Sequence, residues 1–319
     1  MSVQRTLKHL FAALLLLAVA AIPIGAMSAN NREQLRIGYQ KYWTLIILKA
    51  RGTLEQRLGP LGVDVTWTEF VSGPQMLAGL NDGSVDFVTV GDTPPIFAQA
   101  AGTKFVYVGN EPAAPTGEAI LVPKNSPIKS VAELKGKRIA LNKGSNVEYL
   151  LVKALEEAGV KYTEVEPVFL PPSKARAAFE RGSVDAWAIW DPFLAAAETQ
   201  IGARVLVDGK GIVSNYQFYL AARAYAERRP DVVRIVLEEL GKIDDWGKKH
   251  PKEMAAFLAP SFRLDVPTVE RVALGYGYGV VPITPGVIAE QQRIADTFTE
   301  LKLIPKKLEV KEVAWAQPH

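Results

Sequence analysis

Four loop segments gather the side chains that could do chemistry, and each follows a short apolar run of strand character. Gly91-Asp92-Thr93-Pro94-Pro95 follows residues 87–90; the glycine lets the backbone turn, Thr93 is placed to cap, and Pro94 suits a first helical position. Asn142-Lys143-Gly144-Ser145-Asn146-Val147-Glu148 follows a strand ending at Leu141, with Ser145 and Glu148 at capping-box spacing. Trp190-Asp191-Pro192 sets an N-cap aspartate before an N1 proline, beside a tryptophan at a strand end. Tyr39-Gln40-Lys41-Tyr42-Trp43-Thr44 brings amide, hydroxyl and aromatic groups together. In an open α/β sheet a ligand sits beyond the carboxyl ends of the strands, so the four loops belong at one end. Helix starts at Thr93 and Ser145, facing each other there, would offer free amide donors and positive dipole ends to one anion. Plainer readings stand beside this one: Thr93, Ser145 and Asp191 as caps only, and any one aromatic as core.

Catalysis has little to work with. The chain has no cysteine, so there is no thiolate nucleophile, disulfide framework or lipid-anchor site. Its three histidines are His9, His250 and His319, at the N-terminus, in the tail and at the last residue, which excludes a His-centred triad or metal site in these loops. There is no Walker A run and no Gly-x-Gly-x-x-Gly opening a helix after a strand. Asp92 and Asp191 both have helix-cap explanations. The expectation is a binding protein with no enzyme activity, no cofactor and no metal.

The elements that position the loops are written twice. Arg36-Ile37-Gly38-Tyr39-Gln40-Lys41 resembles Arg138-Ile139-Ala140-Leu141-Asn142-Lys143, and Gly83-Ser84-Val85-Asp86 recurs as Gly182-Ser183-Val184-Asp185. The offsets of 102 and 99 need only one three-residue gap. Between the anchors the order matches: strand at 63–70 or 166–170, helix at 74–81 or 173–181, strand at 87–90 or 186–190. Internal similarity of this kind points to two like lobes, and alternating strands and helices to parallel, doubly wound sheets. Past about residue 225 the pattern is helical only, at 230–249, 252–259, 266–274 and 283–301. Segments 118–123 and 216–221 join the halves, a pair of crossovers fit for hinge closure around a ligand.

The first 28 residues read as a secretory signal: Arg5, Lys8 and His9, then an apolar run from 10 to 24 interrupted by Pro23, then Ala26-Met27-Ser28. The division is thus 1–28 signal, 29–117 first lobe, 118–221 hinge strands and second lobe, and 222–319 the return to the first lobe with its helical tail. Removing Arg5 and Lys8 leaves 35 basic against 34 acidic residues, a balance that argues against a nucleic-acid footprint. An exported, periplasmic, soluble monomer is expected.

The same segments resemble the aliphatic sulfonate-binding proteins of ABC importers, of the type II periplasmic-binding-protein fold. The resemblance runs from Leu35 to Trp315. It rests on Arg36-Ile37-Gly38-Tyr39-Gln40-Lys41, Gly73-Pro74-Gln75-Met76-Leu77, the run from Gly91-Asp92-Thr93-Pro94-Pro95 to Gly102, Val168-Phe169-Leu170-Pro171-Pro172, Asp185-Ala186-Trp187-Ala188-Ile189-Trp190-Asp191-Pro192-Phe193, Phe218-Tyr219-Leu220-Ala221-Ala222-Arg223 and Leu303-Ile304-Pro305-Lys306-Lys307. It implies a receptor that delivers a small organic anion, an aliphatic sulfonate, to an ABC permease in the inner membrane as a sulfur source. By position it implies cleft residues Gln40, Gly91, Asp92, Thr93, Ser145, Asn146, Trp190 and Asp191. Taurine or nitrate receptors of the same fold are the nearer alternatives; a fold-related enzyme or a solute sensor are the farther ones. Asp92 separates two of these: aimed into the cleft it would read a ligand amine, whereas turned back it would cap local backbone N–H groups.

Overall fold

The structure, a computed structural model, describes residues 32–41 and 44–315. The expected signal segment, 1–28, and Tyr42 and Trp43 of the first loop lie outside the described residues.

The first lobe is built from β1 (Glu33–Tyr39), α1 (Thr44–Arg51), α2 (Thr53–Leu58), β2 (Val63–Glu69), α3 (Gly73–Asp82), β3 (Phe87–Gly91), α4 (Thr93–Ala100) and β4 (Phe105–Asn110). The second follows as β5 (Glu118–Val122), β6 (Arg138–Leu141), α5 (Asn146–Glu157), β7 (Glu166–Phe169), α6 (Pro172–Glu180), β8 (Ala186–Trp190), α7 (Phe193–Ile201) and β9 (Arg204–Asp208). The chain returns through β10 (Gln217–Ala222) and continues as α8 (Arg223–Arg228), α9 (Pro230–Lys249), α10 (Pro251–Phe262), α11 (Val266–Leu274) and α12 (Pro285–Glu300).

Each sheet has five strands, ordered β2-β1-β3-β10-β4 and β7-β6-β8-β5-β9. The orders correspond strand for strand, so the internal repeat is a repeat of topology. Its anchors act alike in both lobes. The Arg36 N–H donates to Asp86 Oδ2 at 2.9 Å while the Asp86 N–H donates to the Arg36 carbonyl at 2.7 Å. Arg138 and Asp185 make the same two bonds, each at 2.8 Å. The recurring Asp thus ties the loop entering the third strand to the start of the first.

The sheets are mixed, which corrects the expectation of parallel ones. β1 with β3, and β6 with β7 and β8, are parallel. β10 runs antiparallel to β3 and β4, and β5 antiparallel to β8 and β9. The antiparallel members are the two crossover segments, which enter each sheet from the opposite end. Segment 216–221 therefore belongs to the first lobe's sheet. β3, β5 and β8 are buried at every residue, which explains their unbroken apolar sequence: helices cover both faces.

The tail closes the first lobe. α9 buries Val232, Val233, Val236, Leu240 and Ile243, one helical stripe at three- and four-residue spacing, in a core shared with Leu35 and Ile37 of β1 and with Met254 and Leu258 of α10. α12 buries Ile294, Ala295 and Phe298 against Ile96 of α4 and Phe218 of β10.

Candidate functional site

Between the lobes lies a cavity of about 680 Å³. The first lobe contributes Gln40 and Lys41 after β1, Glu69 and Phe70 at the end of β2, and Gln75 from the first turn of α3. The second contributes Pro171, Pro172 and Ser173 at the start of α6, Arg176 one turn on, and Pro192 and Phe193 opening α7. Phe262 and Arg263, at the end of α10, complete it. Apart from the end of α10, these segments follow strand carboxyl ends or open the first turns of helices. Phe70, Phe193, Phe262 and the three prolines make an apolar wall, and the first turns of α3, α6 and α7 turn positive dipole ends toward the space. Glu69 answers Lys41 at 3.3 Å, leaving the two arginines as the remaining charges of the lining.

The helix starts expected to face the ligand meet each other instead. A Cβ added to Gly91 would stand 3.2 Å from Asn146 Cγ, and one on Gly144 would stand 3.4 Å from the Phe97 ring. The two helix starts approach through these glycines, which leave room that a side chain would fill. Neither hydroxyl caps as expected: the N-cap of α4 is Asp92, and Thr93 is the first helical residue, donating its hydroxyl to Asp92 Oδ1 at 3.0 Å. Ser145 is the N-cap of α5, but its hydroxyl donates to the Asn142 carbonyl at 2.6 Å, while Glu148 reaches back to the Gly144 N–H at 2.6 Å. Only the glutamate half of a box forms, one residue early.

Behind this contact two carboxylates are buried. Asp92 is 2% exposed and Glu118, the first residue of β5, 1% exposed. Burial pushes the Asp92 carboxyl up to about 7, partly offset by hydrogen bonds from Thr93 and from the Tyr216 backbone. Burial, then the Asp92 charge, raises Glu118 well above the usual range, against a hydrogen bond from Asn146. The Asn146 amide donates to Glu118 and also to Asn215 Oδ1, so it links α5 to both crossovers. The Gln291 amide donates to the Asp92 carbonyl at 2.8 Å, fastening α12 to the same point.

Of the eight sequence-derived residues, Gln40 lines the cavity of about 680 Å³. Asp92 lines a separate one of about 380 Å³, with Tyr216, Glu290 and Arg293, on the tail side of the crossovers. Asp191 lines a third, about 240 Å³, with Glu198 and Arg271. It stands one residue before the N-cap of α7, which is Pro192, and accepts from the Ala195 N–H at 3.1 Å. Trp190 is 6% exposed in the second lobe's core, edge-on to Phe193 at 6.3 Å; Phe193 rather than Trp190 reaches the cavity. Gly91 meets Asn146 across the lobe contact, while Thr93 and Ser145 bond within their own loops beside it. Phe70, Arg176, Phe193, Phe262 and Arg263 also line the cavity and were not among the residues named from the sequence. For Phe193 the signal was available, since it follows the proline of an identified helix start.

Among the described residues no group of His, Cys, Asp or Glu could hold a metal ion, and no helix is long and apolar enough to cross a membrane.

Residues 61–254 match the family model described as NMT1/THI5 like. The chain is 44% identical over 302 residues to an aliphatic sulfonates-binding protein of Escherichia coli (strain K12), covering 94% of this chain and 93% of that one. It is 36% identical to the protein of that description from Bacillus subtilis (strain 168), covering 88% and 85%. Among solved structures, the alkanesulfonate-binding protein SsuA from Xanthomonas axonopodis pv. citri, bound to MOPS, superposes with a TM-score of 0.85 at 41% identity, covering 88% of this chain and 98% of that one.

Proposed function

This chain belongs to the NMT1/THI5-like family and, within it, to the aliphatic sulfonate-binding proteins, and from that premise we propose that it is the periplasmic receptor of an ABC importer. It captures an aliphatic sulfonate between its lobes and presents it to a membrane permease. The segment 1–28 is its export signal. It catalyses nothing.

The observation that carries this reading is the cavity of about 680 Å³ walled by both lobes. A ligand held there touches α3 of one lobe and α6 and α7 of the other, so binding is coupled to the lobes' approach, as hinge closure requires. The apolar wall suits an organic tail, and the helix starts suit a group that stays anionic at every physiological pH. Chain length is read loosely, since one methylene changes affinity by only about 0.8 kcal/mol. Gln40 is a direct contact. Gly91, Thr93, Ser145 and Asn146 act as the pivot that brings the lobes into register, and Trp190 and Asp191 hold the start of α7. Asp92 turns to Thr93 rather than to the cavity, so it does not read a ligand amine, which favours plain alkanesulfonates over taurine.

The test is a thermal-shift screen of the mature protein. Alkanesulfonates at a hundredfold excess over Kd stabilise it by about 2.7 kcal/mol, and sugars and cationic amino acids do not. A shift with a sugar and none with any sulfonate overturns the ligand class.

A further inference from the structure

Arg176 and Arg263 reach one end of the cavity from opposite sides of the lobe boundary. Arg176 sits on α6 of the second lobe. Arg263 caps α10, which packs in the first lobe's core, and adopts the left-handed conformation, φ 56°, that few non-glycine residues take. Gln200 of α7 joins them: Arg176 Nη1 donates to its Oε1 at 2.9 Å, and its Nε2 donates to the Arg263 carbonyl at 3.0 Å.

The charges around them do not balance. The four charged residues of the lining are Lys41, Glu69, Arg176 and Arg263, and Glu69 is engaged by Lys41. Arg176 spends its Nε on Glu180 at 2.7 Å, which leaves Nη2 for the cavity. Arg263 has no carboxylate partner among the described residues. With Lys41 facing Glu69 and Arg176 facing Glu180, Arg263 is the cation of the lining left over, and a guanidinium presents its N–H donors in a fork suited to an oxyanion.

We propose that Arg176 and Arg263 together receive the ligand's sulfonate group, so that the anion itself joins the two lobes at this corner. The proposal rests on the sulfonate-receptor reading above and adds to it where the head group binds and why closure depends on it. The tail then lies along Phe193, Phe262 and Phe70, toward Gln40. The corner also explains selectivity against neutral ligands of similar shape: these leave Arg263 without an anion.

Calorimetric titration with butanesulfonate tests it. Arg263→Gln and Arg176→Gln each weaken binding about ten- to a hundredfold, the loss expected for one charge-assisted hydrogen-bonding group. Lys104→Gln, an exposed charge remote from the cavity lining, controls for net charge and stays within twofold. Arg263→Lys recovers only part of the affinity, since it restores the charge without the fork. The fall of affinity with added salt is shallower in both glutamine variants than in wild type, an outcome that a packing role would not produce. Wild-type affinity in both glutamine variants, with butanesulfonate bound normally by the parent protein, overturns the corner and leaves the receptor reading standing. A parent protein that binds no sulfonate in the screen removes both.

Discussion

The boundary between the lobes has two stretches of opposite character. Beside the crossovers, Gly91 lies on Asn146, and Asp92 and Glu118 sit almost without exposure behind them. Beside the cavity, the lobes meet through long polar side chains: Glu198 of α7 with Arg271 of α11 at 3.0 Å, and Gln200 with the Arg263 carbonyl. A dry contact built on a missing Cβ has one geometry and resists displacement. A wet one made of ion pairs and amides exchanges its partners for water at little cost. The first behaves as a pivot and the second as an edge that opens. Stability should therefore depend on the pivot, and affinity on the edge.

The strongest way to break this division is to fill the pivot. Gly91→Leu forces a side chain into the 3.2 Å approach to Asn146 and costs about 2–3 kcal/mol, the range of overpacking, measured by urea unfolding. An unchanged midpoint would show that the lobes are not seated there. Next, Asn146→Ala strips Glu118 of its amide donor and parts α5 from the crossovers, for about 1–2 kcal/mol; a variant as stable as wild type would mean that water replaces the amide and the site is not dry.

A smaller effect comes from pH. Because burial raises the Asp92 carboxyl to about 7, the folded protein keeps a proton that the unfolded chain has released above about pH 4. That stability is full below pH 4 and is lost as pH rises through about 7. Asp191 and Asp244, lifted by burial to about 7, give the same sign, so the Asp92 part is read as a difference. Asp92→Asn should leave melting at pH 4 nearly unchanged and raise it by ~2 °C at pH 7.5. A variant less stable than wild type at pH 7.5 would mean that the ionised carboxylate is the form the pivot needs. The smallest change in stability belongs to the edge: Glu198→Gln removes an ion pair whose arginine side chain is 57% exposed and costs less than about 1 kcal/mol, while raising the rate of ligand release. A stability loss as large as that of Asn146→Ala would erase the distinction between the two stretches.

The same contrast separates what was readable in the sequence from what was not. The Arg and Gly-Ser-Val-Asp anchors were legible because they act within a lobe, joining the first strand to the loop before the third, and a bond of short reach leaves a repeatable pattern. Helix α9 was legible from its stripe, and α11 from its spacing. The antiparallel entry of β5 and β10 was not, since direction is a property of the sheet and an apolar run reads the same either way. The capping hydroxyls were misplaced by a residue or turned to other acceptors, because Thr93 and Ser145 each have a competing acceptor within three residues, and the sequence does not say which local partner wins.

By itself the sequence determined a duplicated α/β scaffold, a helical tail, a chain poor in catalytic groups and the family to which it belongs, since strand and helix periodicity, anchor motifs and residue inventory are carried by neighbours along the chain. Which helix starts border the cavity was decided only by tertiary structure. A helix start looks alike whether it borders a cavity or abuts another helix, and docking the lobes places Gly91 against Asn146 while leaving space at α3, α6 and α7. Arg176 and Arg263 acquire a common purpose for the same reason: they lie far apart in the chain and on different lobes, and only the approach of those lobes turns two ordinary surface cations into one corner for an anion.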